Sequence, residues 1–239
     1  MGFVDLHSHV LPGLDDGVHT LAESLEVVTM LGSLGFDIVC CTPHQKLGSW
    51  VPTQDSISKA HAEVTAALDG AGVSVDLRLG AENFWDELFL DRAQSGAQPR
   101  YTGERAFLVE VAPVATPPKL EEQLFRWRTR GWLPVLAHPE RYHGLCRQPD
   151  RVQQLARTTA LLVDLGALVG AHGPKAQESS QWLVLEGLAH ACASDSHSVS
   201  DAREAGEGIE WIRKKLGEGA TRRLLEENPR RILQGELPD

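Results

Sequence analysis

Short apolar runs alternate with longer amphipathic segments along the whole chain. The apolar runs predict seven strands, at residues 3–6, 37–41, 73–79, 106–109, 133–137, 160–164 and 188–193. The amphipathic segments predict helices at 21–34, 53–69, 84–93, from 117 or 118 to 130, and at 149–157, 175–186, 200–216 and 219–227. Because the strands are continuously apolar and a helix separates each from the next, the pattern predicts a parallel sheet covered by helices.

No linker rich in Pro, Gly or Ser divides this pattern, so we expect one domain over residues 1–239. The first predicted helix opens on a capping box, formed by Thr20 and Glu23. Apolar residues make up 42% of the chain and charged residues 23%, which is ordinary for a globular protein. The net charge of -10 argues against nucleic acid or an anionic membrane as the main partner.

The sequence also bounds the compartment and the chemistry. It contains neither a bilayer-spanning apolar run nor a signal peptide, so we expect a cytoplasmic protein without membrane insertion. Its four cysteines form no C-x-x-C pair, and none is followed six positions later by Arg. The second fact disfavours a thiol-based phosphatase with the usual Cys-x5-Arg loop.

Metal-ligand side chains follow the first strand. His7 and His9 are two residues apart, so both imidazoles can converge on one point, and Asp15 and Asp16 follow in a turn-rich segment. Two imidazoles and a carboxylate at one strand exit suit a metal ion. An isolated His-x-His motif near a terminus is more often a pair of surface histidines, so the rest of the chain has to decide.

Residues of the same type recur at the ends of six of the seven strands. These nine candidate metal ligands are His7, His9, Asp16, His44, Glu82, Glu110, His138, Asp195 and His197. Taken singly, Asp16 could be a turn residue, Glu82 or Asp195 a helix cap, and His138 a half-buried histidine without a ligand role. As a set they favour a closed barrel of about seven strands over an open doubly wound sheet, since only a ring of strand ends lets them meet.

The donor set indicates two or three divalent ions bridged by carboxylates. Imidazole and carboxylate without thiolate suit Mn, Fe or Zn better than Ca. Ions about 3.5–4 Å apart can clamp the oxygens of an in-line displacement at phosphorus. Arg141, three residues after His138, and Arg203, six after His197, are candidate phosphate ligands, although Arg203 could equally lie on a solvated helix face.

Taken together, these motifs resemble the PHP (polymerase and histidinol phosphatase) family. The carrying segments are His7-Ser8-His9, Thr42-Pro43-His44, Glu82, Glu110, His138-Pro139-Glu140-Arg141 and Ser194-Asp195-Ser196-His197. The segments 11–17, 80–83, 138–142 and 166–170 are similar to the branch of metal-dependent bacterial protein-tyrosine phosphatases of capsule and exopolysaccharide clusters. The resemblance extends from residue 3 to about 232.

The resemblance implies a distorted seven-stranded (β/α)7 barrel with a site at the C-terminal strand ends and three ions, commonly Mn or Fe. One ion would take His7, His9, Glu82 and Asp195; a second Glu82, Glu110 and His138; a third Asp16, His44 and His197. Arg141 would grip phosphate, with Arg203 as a second candidate. The segment Asp164-Leu165-Gly166 is less polar than the branch leads one to expect, which leaves its substrate contacts open.

The function that follows is phosphotyrosine hydrolysis by in-line attack of metal-bound hydroxide. The implied substrate is the tail of a bacterial tyrosine kinase of polysaccharide synthesis, with phosphate as product, and either His197 or Asp16 would shuttle a proton. The alternative is a small-molecule phosphatase, acting on histidinol phosphate or a sugar phosphate with the same site. A non-catalytic, metal-stabilised binding module is disfavoured because no ligand is missing. The sequence carries no signal for the oligomeric state.

Overall fold

The structure is a computed structural model that describes residues 1–114 and 116–239. The described residues form nine strands, all paired in parallel, in two sheets. The strands are β1 Phe3–Ser8, β2 Phe36–Cys41, β3 His44–Gln45, β4 Asp76–Leu79, β5 Glu82–Phe84, β6 Ala106–Glu110, β7 Leu133–Ala137, β8 Ala160–Asp164 and β9 Ala191–Ala193. The smaller sheet has the order β1-β2-β4, and the larger one the order β3-β5-β6-β7-β8-β9.

Helices follow almost every strand, as the alternating pattern predicts. They are α1 Leu21–Ser33, α2 Gln54–Ala71, α3 Glu87–Ser95, α4 Leu120–Thr129, α5 His143–Cys146, α6 Pro149–Ala156, α7 Leu165–Val169, α8 Pro174–Leu185, α9 Val199–Arg222 and α10 Asn228–Leu233. A 3-10 turn spans Pro139–Arg141 and a π-helical segment Arg223–Glu227. In the described ranges no helix combines the length and the apolar character that crossing a membrane requires.

Local signals in the sequence account for the helix boundaries. The predicted capping box of α1 is confirmed: Thr20 accepts from the backbone N–H of Glu23, and the Glu23 carboxylate accepts from that of Thr20. The predicted separation of the last long helical segment into two is also confirmed, because α9 is interrupted at Gly217, whose φ of 82° is incompatible with a helix.

Several predicted boundaries are wrong. The predicted strands 73–79 and 188–193 begin later, at Asp76 and Ala191, and the short helices α5, α7 and α10 are absent from the prediction. The predicted helix at 84–93 begins only at Glu87, because the chain first forms β5. The third strand position is therefore split in two at Gly80-Ala81, and the second at Thr42-Pro43. Both interruptions lie beside candidate ligands.

The two sheets share a cluster of buried apolar side chains. Val4, Leu6 and Ile38 of the smaller sheet pack there with Leu108 and Val135 of the larger one. A second and larger cluster lies between the strands and the surrounding helices. All four cysteines are free and three of them are buried, as expected from a sequence without a disulfide pattern.

The ends of β1 and β9 are joined directly. The N–H of Asp195 donates to the carbonyl of His7, and the N–H of His9 to that of Ser196, both at 2.9 Å. The buried Asp5 carboxylate strengthens this seam by accepting from Ser194 Oγ at 2.5 Å and from its N–H at 3.0 Å. Burial raises the pKa of Asp5 to about 6, although the bonds from Ser194 oppose that effect.

Substitution of His190 tests the hydrogen bond by which its buried side chain supports the start of β8. Its Nδ1 accepts from the N–H of Leu161 at 3.0 Å, so the imidazole is neutral, and burial lowers its pKa to about 4. Below pH 6.5 the imidazole of His190 is protonated in the unfolded chain but stays neutral in the folded chain. The stability that the folded chain gains from the neutral imidazole is therefore lost as the pH falls from 6.5 towards 4. The His190→Asn variant removes the titrating group, while its amide oxygen can still accept from the N–H of Leu161. Between pH 7.5 and pH 5, the free energy of unfolding should fall less in this variant than in the parent, by about 2 kcal/mol.

Urea unfolding at a series of pH values measures this difference. His19→Asn is the matched control, because the side chain of His19 is exposed. Parallel stability curves for the parent and His190→Asn would contradict the assignment of a buried neutral imidazole.

Candidate metal centre

The loop after β1 is folded so that its carboxylates return to the strand end. The N–H of Val18 donates to the carbonyl of His9. Gly17 is required at the point of closest approach, because a Cβ there would lie 2.3 Å from the carbonyl oxygen of His9. This closure places Asp15 against His9 and leaves Asp16 at the rim, where its side chain is 46% exposed.

The two interrupted strands position the next ligands. After the break at Thr42-Pro43 the chain resumes as β3, and after Gly80-Ala81 as β5, so His44 and Glu82 lie opposite each other in register. His44 Nδ1 is 2.7 Å from Glu82 Oε2. Because of these interruptions, both side chains lie at the carboxyl ends of the strands, near the other candidate ligands.

Strained backbone presents two further candidates. His138 follows β7 with φ of 32°, and Asp195 follows β9 with φ of 47°. A left-handed conformation is costly for residues with a Cβ and is concentrated at functional sites. Here the surrounding hydrogen bonds enforce it, among them the bond from the N–H of Asp195 to the carbonyl of His7.

Two buried carboxylates lie at the centre of the cluster. Glu82 Oε1 is 2.9 Å from His138 Nε2 and 3.3 Å from His7 Nε2. Asp195 Oδ1 is 3.0 Å from His7 Nε2 and 3.5 Å from His9 Nε2. The predicted convergence of His7 and His9 is therefore observed, and Glu82, which also contacts His44, touches imidazoles from three different strand ends.

The remaining candidates lie on two sides of this centre. Asp16 Oδ1 is 3.3 Å from His44 Nε2 and 3.6 Å from His197 Nε2. Glu110 Oε1 is 4.0 Å from His138 Nε2. The structure thus brings together all nine residues that the sequence singles out. Four groups of them have donor atoms close enough for one ion: His9, Asp16, His44 and His197; His7, His9 and Asp195; His7, Glu82 and His138; His44, Glu82 and Glu110.

The donor atoms fit metal ions better than they fit each other. Some of these atoms are in close contact, such as His44 Nδ1 with Glu82 Oε2 at 2.7 Å, without the geometry of a hydrogen bond. Within residues 1–114 and 116–239, the buried atoms that form no hydrogen bond include His7 Nε2, His9 Nε2, His44 Nδ1, Glu82 Oε2, Glu110 Oε2 and Asp195 Oδ1. Buried polar atoms normally find partners, so a set of unpaired donors and acceptors at one place requires an explanation. Divalent cations would satisfy them all, because these are the atom types that bind such ions.

Three of the imidazoles are oriented by contacts at Nδ1. His7 Nδ1 is 2.6 Å from Thr42 Oγ1, and His9 Nδ1 is 2.8 Å from Asp15 Oδ2. His197 Nδ1 is 2.8 Å from the carbonyl oxygen of Asp195, to which it can donate. Such partners fix the tautomer that turns Nε2 towards a metal ion.

The charge distribution is unbalanced at Glu110. Burial alone would raise the pKa of Glu82, but the imidazoles of His7, His138 and His44 outweigh it and hold the pKa well below its usual range. Burial, followed by repulsion from Glu82, raises the pKa of Glu110 to about 7. A cation between Glu82 and Glu110 would relieve this repulsion.

Arg141 lies at the edge of the cluster and is held by two carboxylates. Its Nη2 donates to Asp164 Oδ2 at 2.6 Å and to Asp195 Oδ2 at 2.7 Å, and lies 3.0 Å from His172 Nε2. It lines the cavity of about 240 Å³ that contains seven of the nine candidate ligands. The structure therefore places Arg141 beside the candidate ligands, as its spacing after His138 predicts.

Contrary to the prediction, the structure does not bring Arg203 to the cluster, so its geometry gives no support for a second phosphate ligand at this position. It projects from the other side of α9 and lines a separate cavity against α1. Asp201 of the same helix instead faces the pocket beside Arg141. Because residues 201 and 203 are two apart on a helix, they point about 200° apart, and the spacing after His197 selected the wrong side.

A family model described as "Capsular polysaccharide synthesis, CpsB/CapC" matches residues 3–234. The chain belongs to the CpsB/CapC family. Its curated relatives include the tyrosine-protein phosphatase YwqE of Bacillus subtilis, 26% identical over 98% of this chain and 92% of the relative. The tyrosine-protein phosphatase CpsB of Streptococcus agalactiae is 24% identical over 97% of this chain and 98% of the relative.

Solved structures share the fold. A chain from the crystal structures of YwqE from Bacillus subtilis and CpsB from Streptococcus pneumoniae, described as unique metal-dependent tyrosine phosphatases, superposes with a TM-score of 0.88 at 23% identity, covering 98% of this chain and 95% of that one. An organophosphorus hydrolase mutant from Deinococcus radiodurans superposes with a TM-score of 0.61 at 13% identity, covering 97% and 92%. The α/β fold is thus similar both to the CpsB/CapC family and to phosphotriesterase-like barrels.

Sequence reasoning missed the groups that orient the candidate ligands. Thr42 and Asp15 contact the Nδ1 atoms of His7 and His9, but in the sequence they stand out only as parts of a motif and of a turn segment, without a supporting role of their own. Asp15 stands next to Asp16, and periodicity does not tell which of two adjacent carboxylates turns inward. For Asp15, its position directly before Asp16 is a signal that could have drawn attention to it, whereas Thr42 does not directly precede a candidate ligand.

Residues at the edge of the cavity were missed as well. His172 follows α7, and its Nε2 reaches Asp164 Oδ2 at 2.5 Å because α7 turns the chain back over the site. Lys46 and Trp50 line the cavity itself. The segment that begins at Asp164, whose substrate contacts the sequence left open, thus reaches the site through the carboxylate that holds Arg141.

Asp15 provides a test of the supporting hydrogen bonds. In Asp15→Asn the side chain loses the charge that orients His9, so the affinity for Mn²⁺ should fall by about 10–100-fold while the fold is retained. Competition with a chelator of known affinity measures the change. Asp55→Asn is the control, because Asp55 lies on the exposed first turn of α2. Equal affinities in both variants would contradict the role of Asp15.

Proposed function

We propose that this chain is a metal-dependent phosphatase that removes phosphate from phosphotyrosine in a protein substrate. The observation that carries the proposal is the convergence of nine imidazole and carboxylate side chains on one centre, with Arg141 at its edge. Membership of the CpsB/CapC family and the names of the curated relatives support it. By the same relationship, the proposed substrate is the tail of a bacterial tyrosine kinase of capsule or exopolysaccharide synthesis, in the cytoplasm.

The proposed site holds two or three divalent ions, with Mn or Fe ahead of Zn. The three ligand sets would be His7, His9, Glu82 and Asp195; Glu82, Glu110 and His138; and Asp16, His44 and His197. Groups of adjacent donor atoms support all of the third set and three members of the first. Glu82 Oε2 lies 3.5 Å from His9 Nε2, which supports its place as the fourth member. For the second set, His138 Nε2 lies 2.9 Å from Glu82 and 4.0 Å from Glu110.

The finer fold assignment is also a proposal. We infer that the two sheets are arcs of one distorted seven-stranded barrel of the PHP type. If β2 with β3, and β4 with β5, count as single interrupted strands, seven strand positions follow one another in chain order. The hydrogen bonds between the ends of β1 and β9 support closure of the ring.

The ions, when bound, would supply an acidified water molecule and positive charge for the phosphoryl oxygens. Arg141 would orient the phosphoryl group, since Asp164 and Asp195 fix its guanidinium through Nη2 while its Nε has no partner among the described residues. A tyrosine leaving group has a pKa of about 10, so only modest proton donation is needed.

Between the two candidate proton carriers, the geometry favours Asp16. His197 can donate from Nδ1 to the carbonyl of Asp195, which leaves Nε2 as a lone pair suited to a metal ion. Asp16 approaches both His44 and His197 through Oδ1, and its side chain is 46% exposed, so the carboxylate is in contact with both the site and solvent. We therefore assign the proton transfer to Asp16.

Substitution of Arg141 tests its proposed role in binding the phosphoryl group. Arg141→Ala should raise KM for a phosphotyrosine peptide by about 10–100-fold, because a charged hydrogen-bond donor is lost. Arg141→Lys keeps a positive charge beside Asp164 and should recover part of this loss, which separates the loss of charge from a folding defect. Steady-state kinetics on the metal-loaded protein measure both, and an unchanged KM in Arg141→Ala would contradict the role.

His138 tests the metal-dependent chemistry. His138→Ala should nearly abolish turnover, because it removes an imidazole that contacts the central carboxylate of Glu82. Arg203→Ala is the control and should leave kcat and KM unchanged, since that side chain lies against α1. Kinetics combined with elemental analysis, and with chelation followed by metal add-back, provide the measurement.

Two outcomes would overturn the assignment. Unchanged rates in both Arg141→Ala and His138→Ala would contradict the function altogether. A panel containing histidinol phosphate and sugar phosphates examines the small-molecule alternative, which a higher kcat/KM for one of these than for the peptide would favour.

A further inference from the structure

The cavity at the metal centre has only two lining residues without an assigned role among those the structure describes. Of the ten, seven are candidate metal ligands and one is Arg141; the other two are Lys46 and Trp50. Both belong to the same short hairpin after β3. This hairpin is therefore the part of the cavity lining that can contact the group attached to the phosphate, since the other lining residues are assigned to ions or phosphate in the proposed function.

The hairpin, residues 46–50, is closed and anchored. The N–H of Lys46 donates to the carbonyl of Trp50 at 2.7 Å, and the N–H of Trp50 to that of Lys46 at 3.0 Å. Gly48 makes the turn with φ of 80°. The N–H of Leu47 donates to the Asp86 carboxylate at 2.8 Å, which ties the hairpin to the start of α3.

Trp50 offers an aromatic surface beside the ligands. Its ring is stacked on that of His44, with centroids 5.3 Å apart and planes at 18°. The side chain is half-buried, and part of it lines the cavity. An aromatic ring of this kind packs well against another aromatic ring and poorly against a small polar group.

Lys46 offers a positive charge that is not held in a close ion pair among the described residues. Its Nζ lies 4.3 Å from the centroid of the Phe84 ring, and its charge acts on the carboxylate of Glu110, but Lys46 forms no ion pair within 4.0 Å in residues 1–114 or 116–239. Arg141, by contrast, is held by Asp164 and Asp195. Lys46 is thus the cation of the cavity with more freedom to meet a phosphate.

We propose that Lys46 and Trp50 form the leaving-group subsite, in which Trp50 packs against the aromatic ring of phosphotyrosine and Lys46 faces its phosphate. This inference rests on the proposed function and deepens it, because it makes the preference for aryl over alkyl phosphates a property of one hairpin. It adds no chemical step, because both side chains only bind the substrate.

Kinetics on the peptide and inhibition by the product test the subsite. Trp50→Ala should raise KM for a phosphotyrosine peptide by about tenfold, leave kcat within about threefold, and leave the inhibition constant of inorganic phosphate within about twofold. Trp50→Phe should restore most of the loss. Lys46→Ala should weaken the binding of both the peptide and inorganic phosphate, and Lys46→Arg should restore the binding of both.

Two controls separate this role from a structural one. Leu47→Ala changes an exposed side chain of the same hairpin that does not line the cavity, so its kinetics should match the parent. Metal content measured by elemental analysis should be equal in all variants. Loss of metal from Trp50→Ala, with parallel weakening of peptide and phosphate, would overturn the proposal and show that Trp50 only supports His44.

A binding measurement keeps the inference separate from the proposed function. Phenylphosphonate, which cannot be hydrolysed, should bind the metal-loaded parent more tightly than methylphosphonate, and Trp50→Ala should remove the difference. If the parent hydrolyses no phosphotyrosine yet shows this preference, the proposed function fails and the subsite stands. If it hydrolyses phosphotyrosine but Trp50→Ala leaves KM and the phosphonate preference unchanged, the subsite fails alone.

Discussion

The structure depends on an electrostatic constraint: Glu82 and Asp195 are buried carboxylates that must be matched by positive charge at the same point. Burial penalises an ionised group heavily unless a partner compensates. Imidazoles from three strand ends provide part of the compensation for Glu82, and Arg141 with His7 does so for Asp195. Because the partners come from distant parts of the chain, the parallel arrangement of the strands is what allows the carboxylates to be buried at all.

The same constraint explains the irregular backbone around the site. A regular strand would end with its side chains perpendicular to the sheet, whereas the nine candidate ligands point towards a common centre. The chain achieves this through the breaks before His44 and Glu82 and through positive φ at His138 and Asp195. Strain of this kind persists only where the surroundings hold it in place, and the seam between β1 and β9 does so for Asp195.

Features that repeat along the chain could be predicted from its sequence. The direction in which a particular side chain points could not. Strand and helix alternate visibly, and a ligand-type residue follows one strand after another, so the fold class and the nine candidates could be found without coordinates. Arg203 has a plausible spacing but lies on the other side of α9, and Asp15, rather than Asp16, turns inward to His9. Lys46 and Trp50 reach the cavity through a hairpin that only its hydrogen bonds define, and periodicity carries no information about where a loop of five residues returns.

Asp195 links the proposed metal site to the grip on phosphate. Its Oδ1 faces His7 and His9, where an ion would be held, while its Oδ2 accepts from Arg141. A cation near Oδ1 would draw electron density away from Oδ2 and weaken its hold on the guanidinium, which would make more of the Arg141 charge available to a phosphoryl oxygen. Asp164, which also accepts from Nη2, would keep the guanidinium in position meanwhile. Metal binding at Oδ1 and the availability of the Arg141 guanidinium would therefore be coupled through the carboxylate of Asp195.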